Sequence, residues 1–253
     1  MFYHNIHHLA DALKIDRNGN AISHDDCVTS VFLFYRDPNS YDASLAELKT
    51  ILLSLPSSLD NYENDYQHYL VASYNRVVQL SNHILKDPAP YLRKHYHTTL
   101  IKDVLCARCL IETVSMFFHS YDALTKKLNT RYEFREWLRK FVYSTTLVDE
   151  KPRTPTLMGF DGLEPPINTM TALEKFANKK HNYFSILYYH IFSDFCHPNG
   201  MGLHIQSLER NQTEDYGYVF SYALSLTLSL LHDFKDTMNC FIALAPRISA
   251  ITP

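Results

Sequence analysis

Between Gly19 and Gly159 the chain contains no glycine, although average usage of about 7% would place roughly ten in an interval of that length. Sheets built from hairpins need glycine at their turns, whereas helices do not. Proline marks the same organisation from the other side. Pro56, Pro88, Pro90, Pro152, Pro155, Pro165, Pro166, Pro198 and Pro246 separate proline-free stretches, most of them long enough for a helix. Within them apolar residues recur at three- and four-residue spacing. Leu45, Leu48, Leu52 and Leu55 predict a helix over Ser40 to Leu55, and Tyr66, Tyr69, Leu70, Val77, Ile84 and their neighbours one over Asp60 to Leu85. Further helices are expected from Pro90 to Tyr121, Arg131 to Thr145, Thr171 to Cys196 and Glu214 to Leu244. The expected fold is all-α, a single-domain helical bundle of about six helices over residues 1–253.

Two segments fall outside this pattern. Val28 to Tyr35 (VTSVFLFY) is β-branched and aromatic enough for a short strand, but no partner is evident. Asp149 to Asn168 holds four prolines and two glycines. Its apolar Leu157, Met158, Phe160 and Leu163 suggest a long loop packed over the bundle rather than a linker between domains.

A composition of 46% hydrophobic, 20% charged and 13% aromatic residues excludes a disordered tail, a collagen-like fibre or a coiled-coil rod. With 24 Lys and Arg against 27 Asp and Glu, net charge supplies no bulk attraction to a phosphate backbone. Five Cys make no secreted disulfide framework, and Met1 is not followed by a basic region and an apolar run, so a cytoplasmic location is expected. The longest apolar stretch, Val219 to Leu231, falls short of the roughly 20 residues a membrane span requires. No membrane association is expected.

Two segments place polar groups where a helix should be apolar. From Val104 to Phe118 the sequence VLCARCLIETVSMFF is apolar nearly all round and predicts a helix at the centre of the bundle. Arg108 and Glu112, four apart, share one of its faces with Ile101, Val104, Leu105 and Met116. They read either as an intrahelical pair fixing register or as a preorganised site, with Arg108 aimed at an anionic or carbonyl group and Glu112 orienting it. In YFSILYYHIFSDFCHPNGMG, Tyr189, Ser193 and His197 are spaced by four, and His190 and Asp194 fall close by, making a polar stripe. Such a stripe is either the solvated face of an amphipathic helix or an inward constellation with Arg108 and Glu112.

At these residues the chain resembles a known group. Arg108 and Glu112 in an apolar helix, followed by Tyr189, Phe192, Ser193 and His197-Pro198, look like an uncharacterised bacterial all-helical family with an Arg-x3-Glu helix and a Tyr-x2-[Leu/Phe]-Ser-x3-His-Pro motif. That family is often placed near the HEPN superfamily, whose better-known members are nucleotide-binding proteins or metal-independent ribonucleases of toxin and phage-defence systems. The resemblance implies an all-α bacterial protein of the cytoplasm. HEPN ribonucleases carry an Arg followed, after four to six residues, by His, and Arg17 with His24 and Arg76 with His83 fit. Eleven Arg and 14 His in 253 residues yield about two such pairs by chance, so the match carries no information. A ribonuclease here would use His197 as acid–base and Arg108 as phosphate anchor.

A metal-dependent hydrolase reading uses His190, Asp194 and His197, completed by His204 or Glu112, but lacks the repeated Glu-x-x-His of two ligand-bearing helices. Cys106 and Cys109 form a lone CxxC without the second pair a zinc site needs, and read as buried thiols. Arg131, Arg135 and Arg139 share a helix face, interleaved with Glu133 and Glu136 as a solvated surface would be. No dinucleotide fingerprint, phosphate loop or nucleophile elbow occurs, and no cofactor is expected. The sequence thus supports a helical bundle with a polar centre of Arg108, Glu112, Tyr189, Ser193 and His197. Its expected partners are a small-molecule or RNA ligand and, given the apolar surface of such bundles, a second copy as homodimer.

Overall fold

A computed structural model describes residues 46, 50, 61–85, 97–126, 131–142, 167–180, 184–196 and 213–249. These residues are almost entirely helical: α1 (Asn61–Leu85), α2 (His97–Thr125), α3 (Arg131–Val142), α4 (Thr169–Lys180), α5 (Phe184–Cys196) and α6 (Thr213–Ser249). No strand occurs among them. The all-α class read from glycine depletion is therefore the observed one. Val28 to Tyr35, nearly all of Ser40 to Leu55, and Asp149 to Pro166 of the long loop lie outside the described residues.

The expected single helix from Thr171 to Cys196 is instead two, α4 and α5. Its apolar periodicity continues across the junction, which concealed the break. The stop signal is local: Lys179 and Lys180 occupy the last turn of α4, where cations meet the negative end of the helix dipole. Asn182, a residue whose side chain competes for backbone hydrogen bonds, follows. At the other end of α4, Asn168 Oδ1 accepts hydrogen bonds from Met170 N (2.9 Å) and Thr171 N (3.3 Å), an N-cap that satisfies two otherwise orphaned donors.

Contacts group the described residues into two compact units. Unit 1 contains 77–85, 97–111, 184–196 and 213–232; unit 2 contains 61–76, 112–126, 131–142, 167–180 and 233–249. The core of unit 1 is largely aliphatic, with Val77, Ile84, Val104, Leu110, Ile111, Ile191, Leu226 and Leu230 buried together with Phe192.

Unit 2 is built on aromatic rings. Phe117 sits 4.6 Å, centroid to centroid, from both Phe234 and Phe241, and 5.8 Å from Tyr69. Tyr66 lies 6.0 Å from Phe134 and 5.9 Å from Phe241, so α1, α2, α3 and α6 meet at one cluster. Such tilted pairs contribute about 0.5–1.5 kcal/mol each beyond area burial. Tyr66 Oη donates to the carbonyl of Phe241 at 2.6 Å. This carbonyl lies one turn before Pro246, a residue inside α6 that has no amide hydrogen and disturbs the carbonyls preceding it. The tyrosine thus supports the backbone near the proline. At the surface of unit 2, Lys180 reaches Asp233 (3.6 Å) and Asp236 (3.8 Å), tying the end of α4 to α6.

Candidate functional site

The helix α2, expected to be enclosed nearly all round, is more unevenly covered. Val104, Ala107, Leu110, Ile111, Val114 and Phe117 are buried, but Leu105 is 44% exposed, and Arg108 and Glu112 are half-buried. The long Arg108 side chain can therefore run along apolar surface while its head approaches a boundary. Arg108 belongs to unit 1 and Glu112 to unit 2, where the Glu112 carbonyl accepts the Ser115 hydroxyl at 3.2 Å.

In unit 1 the Arg108 guanidinium lies over the Tyr189 ring, 5.4 Å from its centroid. A planar cation on an aromatic face is held by the ring quadrupole at about 0.5–2 kcal/mol, depending on solvation. The two sequence segments singled out above thus meet here, α2 supplying the cation and α5 the ring. Stacking fixes the plane of the guanidinium and leaves its in-plane donors to define direction, as carboxylate or phosphate recognition requires.

The polar stripe expected on α5 divides. His190 and Asp194 are exposed, as is Leu187 at 44%, whereas Tyr189 and Ser193 are half-buried beside the buried Tyr188, Ile191 and Phe192. Ser193 Oγ is shielded from solvent and has no hydrogen-bond partner among the described residues. Elsewhere the buried or half-buried helical hydroxyls bond the carbonyl three or four residues back: Ser81 to Val77 (2.7 Å), Ser120 to Phe117 (2.7 Å), Thr227 to Ala223 (2.7 Å) and Thr237 to Asp233 (2.8 Å). Ser193 departs from that habit. His197, expected one turn beyond Ser193, lies outside the described residues, as do His204, Arg17 and His24. Arg76 is exposed and its Nε donates to Thr113 Oγ1 at 3.0 Å, while His83 is exposed.

Three buried polar residues were not anticipated. Ser185 is fully buried, and its hydroxyl has no partner among the described residues. It stands four before Tyr189, so the spacing that drew attention to Tyr189 and Ser193 could have extended to it. Asp103, buried on α2, together with the loss of hydration at Cys106 and the neighbouring Cys109, pushes the Cys106 thiol up; burial is the largest of these effects. Cys106 therefore keeps its proton at neutral pH and is a poor nucleophile or metal ligand. Among the described residues no group of three or more His, Cys, Asp or Glu could hold a metal ion.

In unit 2, His119 is buried with its ring edge 5.9 Å from Phe141, and its Nδ1 has no partner among the described residues. Burial first, then the nearby charge of Lys175, holds the imidazole below its usual pKa, and the carboxylate of Asp122 only partly opposes this. Asp122 itself is pushed up by burial. A 2.7 Å hydrogen bond from Lys126 and the charges of Lys126, Lys179 and Lys175 more than offset that and leave its carboxyl below the usual range. No signal of spacing in the sequence marks this cluster, because its members come from α2 and α4.

Among the described residues no helix is long and apolar enough to cross a membrane. Compared with family models, with curated proteins and with solved structures, the chain finds no match in any of the three.

Proposed function

We propose that the protein binds a small, nucleotide-like ligand through Arg108, Tyr189 and Ser193 of unit 1, as a helical protein of the bacterial cytoplasm. The observation that carries this reading is the Arg108 guanidinium over the Tyr189 ring at 5.4 Å, with the unpartnered Ser193 hydroxyl one turn further along α5. A half-buried, ring-oriented guanidinium suits a phosphate or carboxylate, because its forked donors match two oxygens at once. The resemblance to a HEPN-related family supports the same ligand class.

Calorimetric titration with adenosine monophosphate tests it. Binding that weakens by about ten-fold or more in Arg108→Gln is expected, the loss of one charge-assisted hydrogen-bonded contact. Binding unchanged in that variant would defeat the reading. The same preparation incubated with RNA separates the enzymatic alternatives. Cleavage that persists with a chelator and disappears in His197→Ala would replace the binding reading by a metal-independent ribonuclease. Cleavage abolished by the chelator would instead point to a metal-dependent hydrolase using His190, Asp194 and His197.

A further inference from the structure

Ser185, Tyr189 and Ser193 stand at intervals of four on α5, so their side chains follow one another along a single face of the helix. At a rise of 1.5 Å per residue, Ser185 and Ser193 are separated by about 12 Å along the axis, with Tyr189 and the overlying Arg108 between them. Both seryl oxygens are shielded from solvent and without a hydrogen-bond partner among the described residues. Leaving a buried hydroxyl unmet costs about 1–3 kcal/mol, and native proteins retain few such groups. Ser193 has a carbonyl four residues back, at Tyr189, yet does not bond it. Two such groups on one helix face, with a guanidinium between them, form a polar row inside an otherwise apolar unit. The opposite edge of α5, bearing Leu187, His190 and Asp194, is exposed and differently composed.

We infer that this row is a single elongated ligand site, in which Ser185 receives the end of the ligand remote from the oxyanion held by Arg108 and Ser193. The inference rests on the ligand-binding reading above and deepens it. The ligand class is a phosphate monoester whose organic part carries a hydrogen-bonding group about two helical turns from the phosphorus. One cation in the row matches one anionic group, and the two hydroxyls, able to donate or accept, match an oxyanion at one end and a neutral polar atom at the other. The enclosed position of both oxygens places the ligand between α5 and its neighbours within unit 1.

The test compares adenosine monophosphate with inorganic phosphate, titrated calorimetrically into the full chain and into Ser185→Ala, Ser193→Ala and Arg108→Gln, with the melting temperature of each unliganded variant measured alongside. Ser185→Ala should weaken adenosine monophosphate about five-fold, the equivalent of one neutral hydrogen bond, and leave inorganic phosphate unchanged. Ser193→Ala and Arg108→Gln should weaken both probes. Removal of an unmet hydroxyl should leave the melting temperature of both serine variants unchanged or raised.

If Ser185→Ala leaves both affinities intact while Arg108→Gln abolishes them, the elongated site is wrong and the ligand-binding reading stands. If Ser185→Ala lowers the melting temperature without altering affinity, the hydroxyl is structural and the inference is overturned. If neither probe binds at about 10 mM, a concentration that would reveal even millimolar affinity, both readings fail together.

Discussion

In unit 2, buried hydroxyls end in partners. Tyr69 Oη donates to Ser120 Oγ at 2.8 Å, Ser120 donates onward to the Phe117 carbonyl at 2.7 Å, and Tyr66 donates to Phe241. In unit 1, Ser81 and Thr227 bond their own helices in the same way, but Ser185 and Ser193 do not. The first arrangement gives the tyrosine hydroxyls of an aromatic core a defined role: burial pushes both phenols well up, so they remain neutral donors. The second leaves polar capacity inside an aliphatic unit, next to a guanidinium. Satisfied polar atoms make a core unique, and unsatisfied ones mark where stability has been set aside for another purpose.

The contrast can be broken most severely at Phe117. Phe117→Ala removes the ring on which Tyr69, Phe234 and Phe241 converge and should destabilise the protein by about 3–5 kcal/mol, measured by urea unfolding. A loss below about 1 kcal/mol would mean the cluster is not a packed core. Tyr66→Phe should cost about 1–2 kcal/mol by leaving the Phe241 carbonyl unmet beside Pro246, with no effect on ligand affinity. An unchanged stability would show that water replaces the hydroxyl.

His119 offers a test by pH. Its imidazole is held below the ordinary value of 6.5 by burial and by Lys175, so the unfolded chain takes up the proton more readily than the folded one. Its contribution to stability is fully present above about pH 6.5 and is lost as pH falls towards the depressed value. Urea midpoints at neutral and mildly acidic pH should therefore fall further for the native protein than for His119→Phe. Equal decline in both would assign acid sensitivity to other groups. The smallest effect is expected at Lys126→Met, because the 2.7 Å pair with Asp122 places an exposed lysine on a half-buried carboxylate, worth about 0–1 kcal/mol. Stability should move less there than at any core position.

The helical class, four of the described helices within a few residues of their ends, and the meeting of Arg108 with Tyr189 all had signals in the chain. Glycine depletion and proline punctuation are local properties, and helix formation is a local event. The break between α4 and α5 was missed because its apolar spacing continues across it, and periodicity reports burial rather than continuity. Ser185 was legible in the four-residue spacing but was overlooked, since a single serine near a helix start is ordinarily unremarkable.

What the sequence alone determined is that this chain is helical, with a cation in one apolar helix and hydroxyls at helical spacing in another. Those are consequences of backbone preference and side-chain period, which each segment carries within itself. Tertiary structure alone decided that the guanidinium rests on a ring, that His190 and Asp194 face water while Ser185 and Ser193 do not, and that His119 is enclosed beside Phe141. Burial and partnership depend on which other segment covers a face, and no residue encodes its neighbour across the fold.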